Sequence, residues 1–277
     1  MLLGGGARAV AGTRKNLDRI AGAIPGAALL VDVRTRRLIA ASGAELAAGL
    51  LLPPGSTVKP FTLQALLRAG KLGAEETFPC PGNLAIGGRS FNCSHPTVAA
   101  PIAVPTALAY SCNCFVAHFA ERFAPGELAA ELVRCGLASR SGWFGDNEAA
   151  GRVARADGRE AQQLQAIGEG SLMVTAAALA LAFRRLAVSA AEPIRSGLEG
   201  AVEFGTARNA RVEGVRVAGK TGSVRAADGA MIAWFAGFAP SRAPTAVVTV
   251  MLQGRSGGGD AAPMAGRIFA AYLAGRL

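Results

Sequence analysis

Lysine is scarce in this chain. Four lysines stand against 25 arginines among 277 residues, although the formal net charge is +10. Positive charge therefore rests on a side chain that does not lose its proton, and each lysine that remains invites a chemical reason. Aromatic residues are also few, at 6%, and the arginines are scattered. A nucleic-acid binder would interleave basic patches with aromatic platforms, so nucleic acid is not an expected partner. The basic surface instead favours anionic polymers such as those of a cell envelope, or an anionic membrane surface.

Long apolar runs are missing too. None approaches the roughly 18 residues that would span a bilayer, and the longest candidate, LMVTAAALALAF (172–183), reads as a buried helix. The opening MLLGGGARAVAG lacks the charged region and long apolar core of an export signal. Histidine occurs twice and cysteine five times. Cys112 and Cys114, taken with His95 or His118, match no usual zinc spacing. No metal and no cofactor are expected, and Cys112 and Cys114 read as packing residues. Cys80 and Cys93 sit in the Pro/Gly-rich stretch CPGNLAIGGRSFNC and could close a small disulfide loop in an oxidising compartment. The odd total leaves at least one thiol unpaired.

What is present is enough for a large core: 51% of residues are apolar. AALLVDV (27–33) and RLIAAS (37–42) read as a hairpin of two apolar strands. STVKPFTLQALLRAGKL (56–72) reads as a helix with proline tolerated in its first turn. Further helices are predicted over 105–123, 126–137 and most of 160–189, the last interrupted by GEG at 168–170. Three β-rich runs follow at 214–224, 230–240 and 245–254, with AADG (226–229) as a turn. QGRSGGGD (253–260) reads as a flexible loop before a helix over 261–275. This order predicts an α+β fold: one antiparallel sheet built from both chain ends, flanked by helices, with a helical lobe between.

Two of the four lysines fall in short motifs. Ser56 and Lys59 are three residues apart, hence on one face of a helix. A neutral amine there can take the serine proton, provided that burial lowers its pKa. Alone the motif is weak, since roughly 0.2 such matches arise by chance from 13 serines and 4 lysines. Two more elements follow in order: SCN at Ser111–Asn113 and KTGS at Lys220–Ser223. GVRVAGKT (214–221) also matches a phosphate-binding loop formally, but VRVA alternates like a strand and no helix follows, so that reading fails on context.

The set of Ser-x-x-Lys, Ser-x-Asn and Lys-Thr-Gly resembles that of the active-site-serine penicillin-recognising enzymes. The chain is similar to the transpeptidase domain of penicillin-binding proteins from about residue 26 to the C-terminus. PGSTVKPF, ALAYSCNCF, GEG followed by Thr175, GKTGS and AWFAGFAP all take part. The resemblance implies a β-lactamase/transpeptidase-like fold over 26–277, with residues 1–25 as an extension. It implies an acyl-serine transferase acting on D-Ala-D-Ala stem peptides of peptidoglycan, acylated by β-lactams and located outside the cytoplasm of a bacterium, in the periplasm or on the outer face of the membrane. Any membrane anchoring would come through a segment outside this chain. Either the chain is a domain excised from a longer protein or it is a minimal homologue.

By the same resemblance Ser56 is the nucleophile and Lys59 its base. Ser111 relays a proton to the leaving nitrogen, and Asn113 bonds the substrate amide. Lys220 and Thr221 hold the terminal carboxylate, Lys220 also helping to keep Lys59 neutral, and Gly222 leaves room along the strand. The oxyanion sits between the backbone N–H groups of Ser56 and Ser223. Apart from the resemblance, Glu169 is expected to cap or orient the helix after it, His118 to be a core or partly buried residue, and Trp143 and Phe144 to line either cleft or core. Relatives include β-lactamases and D,D-carboxypeptidase-like hydrolases, as well as catalytically silent sensors. The class A pattern Glu-x-x-x-Asn is absent from the sequence; a carbamylated lysine at Lys59, as in class D, is left open. Intact motifs and SCN in place of Ser-x-Val favour slow deacylation.

Overall fold

A computed structural model of the chain describes residues 17–20, 26–97 and 100–277. The expected N-terminal extension lies outside the described residues except for 17–20.

Five strands form one antiparallel sheet. They are β1 (Gly26–Asp32), β2 (Leu38–Ser42), β3 (Ala218–Arg225), β4 (Met231–Ala239) and β5 (Ala246–Gln253), in spatial order β2-β1-β5-β4-β3. Strands from both chain ends share the sheet, as the sequence predicts. The run of apolar residues in β1 is explained by burial on both faces. Ala27, Leu29 and Val31 join one core, while Ala28 and Leu30 join another on the opposite side. A half-exposed sheet would instead show apolar–polar alternation.

The first core carries the helical lobe. It holds α1 (Ala44–Gly49), α2 (Lys59–Arg68), α3 (Val104–Ala109), α4 (Asn113–Ala120), α5 (Glu127–Cys135), α6 (Arg159–Ile167), α7 (Ala176–Ser189) and part of α8 (Glu192–Glu203). The second core is covered by α9 (Ala262–Leu273), whose Ile268 and Phe269 are fully buried. Each such side chain contributes roughly 1.5–3 kcal/mol of transfer free energy.

Three local expectations are corrected. The helix predicted over 105–123 is broken between α3 and α4, because Ser111 takes φ +59. The chain restarts with the Cys112 sulfur accepting the Phe115 N–H as an N-cap. The stretch QGRSGGGD is a folded turn, Gly257–Ala261, capped by the Ser256 hydroxyl on the Gly259 N–H. His118 is exposed and stacks on Phe78, their ring centroids 4.4 Å apart.

Candidate active site

Ser56 lies on a single 3₁₀ turn, Gly55–Val58, and Lys59 opens α2 directly after it. Two contacts fix that turn from outside. The Gly55 N–H donates to the Gly168 carbonyl at 3.0 Å, and the Trp234 indole N–H donates to the Pro53 carbonyl at 3.1 Å. Gly168 is held at φ +89, and a Cβ there would stand 1.9 Å from the Gly55 carbonyl oxygen. The GEG stretch is thus a prop beneath the serine. Its Glu169 pairs with Arg89 at 3.1 Å rather than capping α7, whose N-cap is Thr175.

The Lys59 amine is fully buried. It donates to the Ser111 carbonyl at 2.6 Å, to the Ser111 hydroxyl at 3.2 Å, and to the Asn113 side-chain oxygen. The Asn113 amide nitrogen in turn donates to the Phe91 carbonyl at 2.8 Å, which fixes the orientation of the amide. The positive φ at Ser111 turns its carbonyl, hydroxyl and following residues toward one lysine. Burial pushes Lys59 down to about 8, because a charge out of water is penalised. Lys220 is also fully buried, and burial, followed by repulsion from Lys59, lowers it well below the usual lysine value.

Lys220, Thr221, Gly222 and Ser223 lie on β3, the sheet edge that faces the Ser56 turn. Lys220 donates to the Thr221 carbonyl at 3.1 Å, and Thr221 bonds the Thr206 hydroxyl at 2.9 Å. A Cβ on Gly222 would meet the Pro54 carbonyl oxygen at 2.8 Å. The absent side chain therefore lets the strand approach the serine segment, a packing reason beyond the one expected. The Ser223 hydroxyl accepts the Gly257 N–H at 3.0 Å.

Ser56, Ser111, Asn113, Thr221, Gly222 and Ser223 line one cleft of about 370 Å³, with both lysines buried behind it. Ser94, Thr206, Ser256 and Gly258 line it as well and carried no sequence signal that singled them out. Of the two places expected for Trp143 and Phe144, both take the core edge and not the cleft, the Trp143 indole donating to the Arg36 carbonyl at 2.9 Å. Cys80 and Cys93 do meet, but as free thiols with sulfurs 3.8 Å apart.

The model for the family described as "Penicillin binding protein transpeptidase domain" matches residues 26–273. The chain belongs to that family. Among solved structures, this transpeptidase domain is similar to PBP2 of Pseudomonas aeruginosa in complex with WCK 5153, at TM-score 0.83 and 20% identity over 94% of this chain and 76% of that one. It is also similar to the TP domain of penicillin-binding protein 3 from Burkholderia pseudomallei, at TM-score 0.82 and 22% identity over 96% and 92% of the two chains. These likenesses establish the fold. The curated relative Stage V sporulation protein D of Bacillus subtilis (strain 168) is 44% identical over 86 residues, 27% of this chain. The match spans 13% of that relative's length.

Proposed function

We propose that the chain is a serine-type D,D-transpeptidase unit, acting on D-Ala-D-Ala stem peptides of peptidoglycan outside the bacterial cytoplasm and acylated by β-lactams through Ser56. The observation that carries this reading is the buried Lys59 amine, lowered toward neutrality and bonded to both Ser111 and Asn113 behind a cleft that Ser56 lines.

The neutral Lys59 amine takes the Ser56 hydroxyl proton as Oγ bonds to the substrate carbonyl carbon. The carbonyl π pair moves to oxygen, which the N–H groups of Ser56 and Ser223 receive. Support for that pairing is the close approach of the two segments: a Cβ on Gly55 would lie 3.7 Å from the Ser223 nitrogen. Loss of one such donor typically costs about 10²–10³ in rate. When the tetrahedral species collapses, the C–N bond breaks. The Lys59 proton passes through the Ser111 hydroxyl, 3.2 Å away, to the departing nitrogen. An acceptor amine then attacks the ester, its proton returns by the same route, and Ser56 is released. Thr221, Ser223 and the buried Lys220 provide the donors for a terminal carboxylate. Hydrolysis through a carbamylated Lys59 is disfavoured, since that chemistry needs an apolar pocket and this amine is surrounded by oxygen acceptors.

Intact mass after incubation with excess benzylpenicillin tests the reading, with Ser56→Ala as control. A lasting adduct on the wild type, absent in the variant, is expected. An adduct that decays as penicillin is consumed would move the assignment to a β-lactamase, and no adduct would remove the enzyme assignment.

A further inference from the structure

Beside the Ser111 turn lies a group of side chains that acyl transfer does not use. The sulfurs of Cys80, Cys93 and Cys112 and the Nε2 of His95 all lie within 4.8 Å of one another. The Cys80–Cys112 pair is 3.4 Å apart, Cys93–Cys112 3.6 Å, Cys80–Cys93 3.8 Å, and Cys80 to His95 Nε2 3.6 Å. A tetrahedral zinc ion with Zn–S of about 2.3 Å and Zn–N of about 2.0–2.1 Å would hold its ligand atoms about 3.8 Å apart for two sulfurs and about 3.5 Å for sulfur and nitrogen. The four side chains already stand near the corners of that tetrahedron. We propose that Cys80, Cys93, His95 and Cys112 form a structural zinc site that fixes the Ser111–Asn113 turn of the acylation cleft.

The surroundings suit bound thiolates. His95 Nδ1 lies 2.8 Å from the Pro96 carbonyl, so its proton resides on Nδ1 and the Nε2 lone pair faces the sulfurs. The Gly82 N–H donates to the Cys80 sulfur at 3.4 Å, and the Phe115 N–H to the Cys112 sulfur at 3.3 Å. Cys114 reaches Cys93 at 3.5 Å, yet its thiol is directed at the Asn83 carbonyl and it stands outside the four-atom group. His95, not a fourth cysteine, completes the set. A set of three thiolates and one imidazole selects zinc over harder divalent ions. On binding, the three thiols release three protons, which leaves the centre with one net negative charge.

The position gives the site its consequence. Cys112 is flanked by Ser111 and Asn113, both on the cleft, and Cys93 and His95 flank Ser94, which also lines it. One ion would join the two walls. The metal assignment stands on the cluster itself; its effect on acylation rests on the function proposed above.

Metal content of the full chain, purified under reducing conditions without chelator, tests the assignment. About one zinc per chain is expected for the wild type and for Ser56→Ala, with Cys80→Ser and His95→Ala falling to a small fraction of that. Labelling by a fluorescent penicillin should slow about 10–100-fold in the metal-depleted variants. As a readout independent of the folding of these variants, wild-type protein is also stripped and reloaded with cobalt. Visible bands of tetrahedral cobalt with a thiolate charge-transfer band are expected, and the thermal midpoint should fall on stripping and recover on reloading. Wild type without zinc, zinc retained in both variants, no cobalt spectrum, or a disulfide within the cluster in peptide maps would overturn the proposal. Zinc-loaded protein that fails to acylate would instead sink the function of Ser56 and leave the metal site standing.

Discussion

Gly168→Ala tests whether the GEG stretch props Ser56, the proposed nucleophile. A new Cβ would stand 1.9 Å from the Gly55 carbonyl oxygen, 2.4 Å from its carbon and 2.7 Å from its Cα, all backbone atoms with no rotamer to yield. To reach an ordinary contact near 3.4 Å, the Gly55 segment has to retreat by roughly 1.5 Å, and Ser56 is the next residue. A misplacement of about 1 Å at a reacting group costs about 10² in rate. The φ of +89 at Gly168 adds a left-handed penalty of about 1–2 kcal/mol for any side chain. Gly170→Ala separates the two effects. It shares the positive φ, at +72, but its Cβ would meet nothing closer than Leu164 Cβ at 3.4 Å. Both variants should therefore melt lower by about 2–8 °C, measured by scanning calorimetry, while only Gly168→Ala should acylate about 10²-fold more slowly with a fluorescent penicillin. Acylation by Gly168→Ala at the wild-type rate, or equal slowing in Gly170→Ala, would refute the prop.

Two further outcomes follow from the same geometry. As the proposed base Lys59 must be neutral, and burial lowers it to about 8, so the acylation rate should climb from pH 6 and level off above about 8. A profile flat across that range would exclude Lys59 as the titrating base. Lys59→Arg should lose about 10²–10⁴ in rate at every pH, since guanidinium keeps its proton; intact-mass kinetics decide this. Thr206→Val removes the acceptor of the Thr221 hydroxyl, a bond of about 1 kcal/mol, and should raise the Kd for penicillin about fivefold with the limiting acylation rate unchanged. Stopped-flow titration that showed a changed limiting rate instead would place Thr221 in the chemical step.

The strands and the three motifs were legible because their signals are local. A run of five apolar residues in β1, or a serine three residues before a lysine, can be read within a single turn or strand. The break at Ser111 was not. Its flanks, ALAY and CFVAHF, hold no glycine or proline to mark a break, and the positive φ is held by contacts with Lys59 and the 80–95 loop. Gly168 reads as an ordinary turn residue until Gly55, over a hundred positions earlier, is seen against it. The cysteine group was missed for a related reason. Its members are separated by twelve, one and sixteen residues, spacings that fit no local zinc template, and only the fold gathers them. The expectation of a flexible 253–260 loop failed because four glycines and small polar residues look unstructured until Ser223 and Asp260 supply their partners.

The pairing of β1 with β5 sets Gly26 opposite Leu252 and Asp32 opposite Ala246. Contacts that distant in sequence give the domain a high contact order, and closing so long a loop must precede any reward from the ladder. While the chain is being made, the 3₁₀ turn with Ser56, the helix opened by Lys59 and the turn at Ser111 emerge long before β5, yet the edge strand with Lys220 has no sheet to join until β4 and β5 arrive. A nascent chain halted before residue 246 lacks the strand that joins β4 to β1, and with it the framework that sets the KTG strand opposite Ser56 and Lys59.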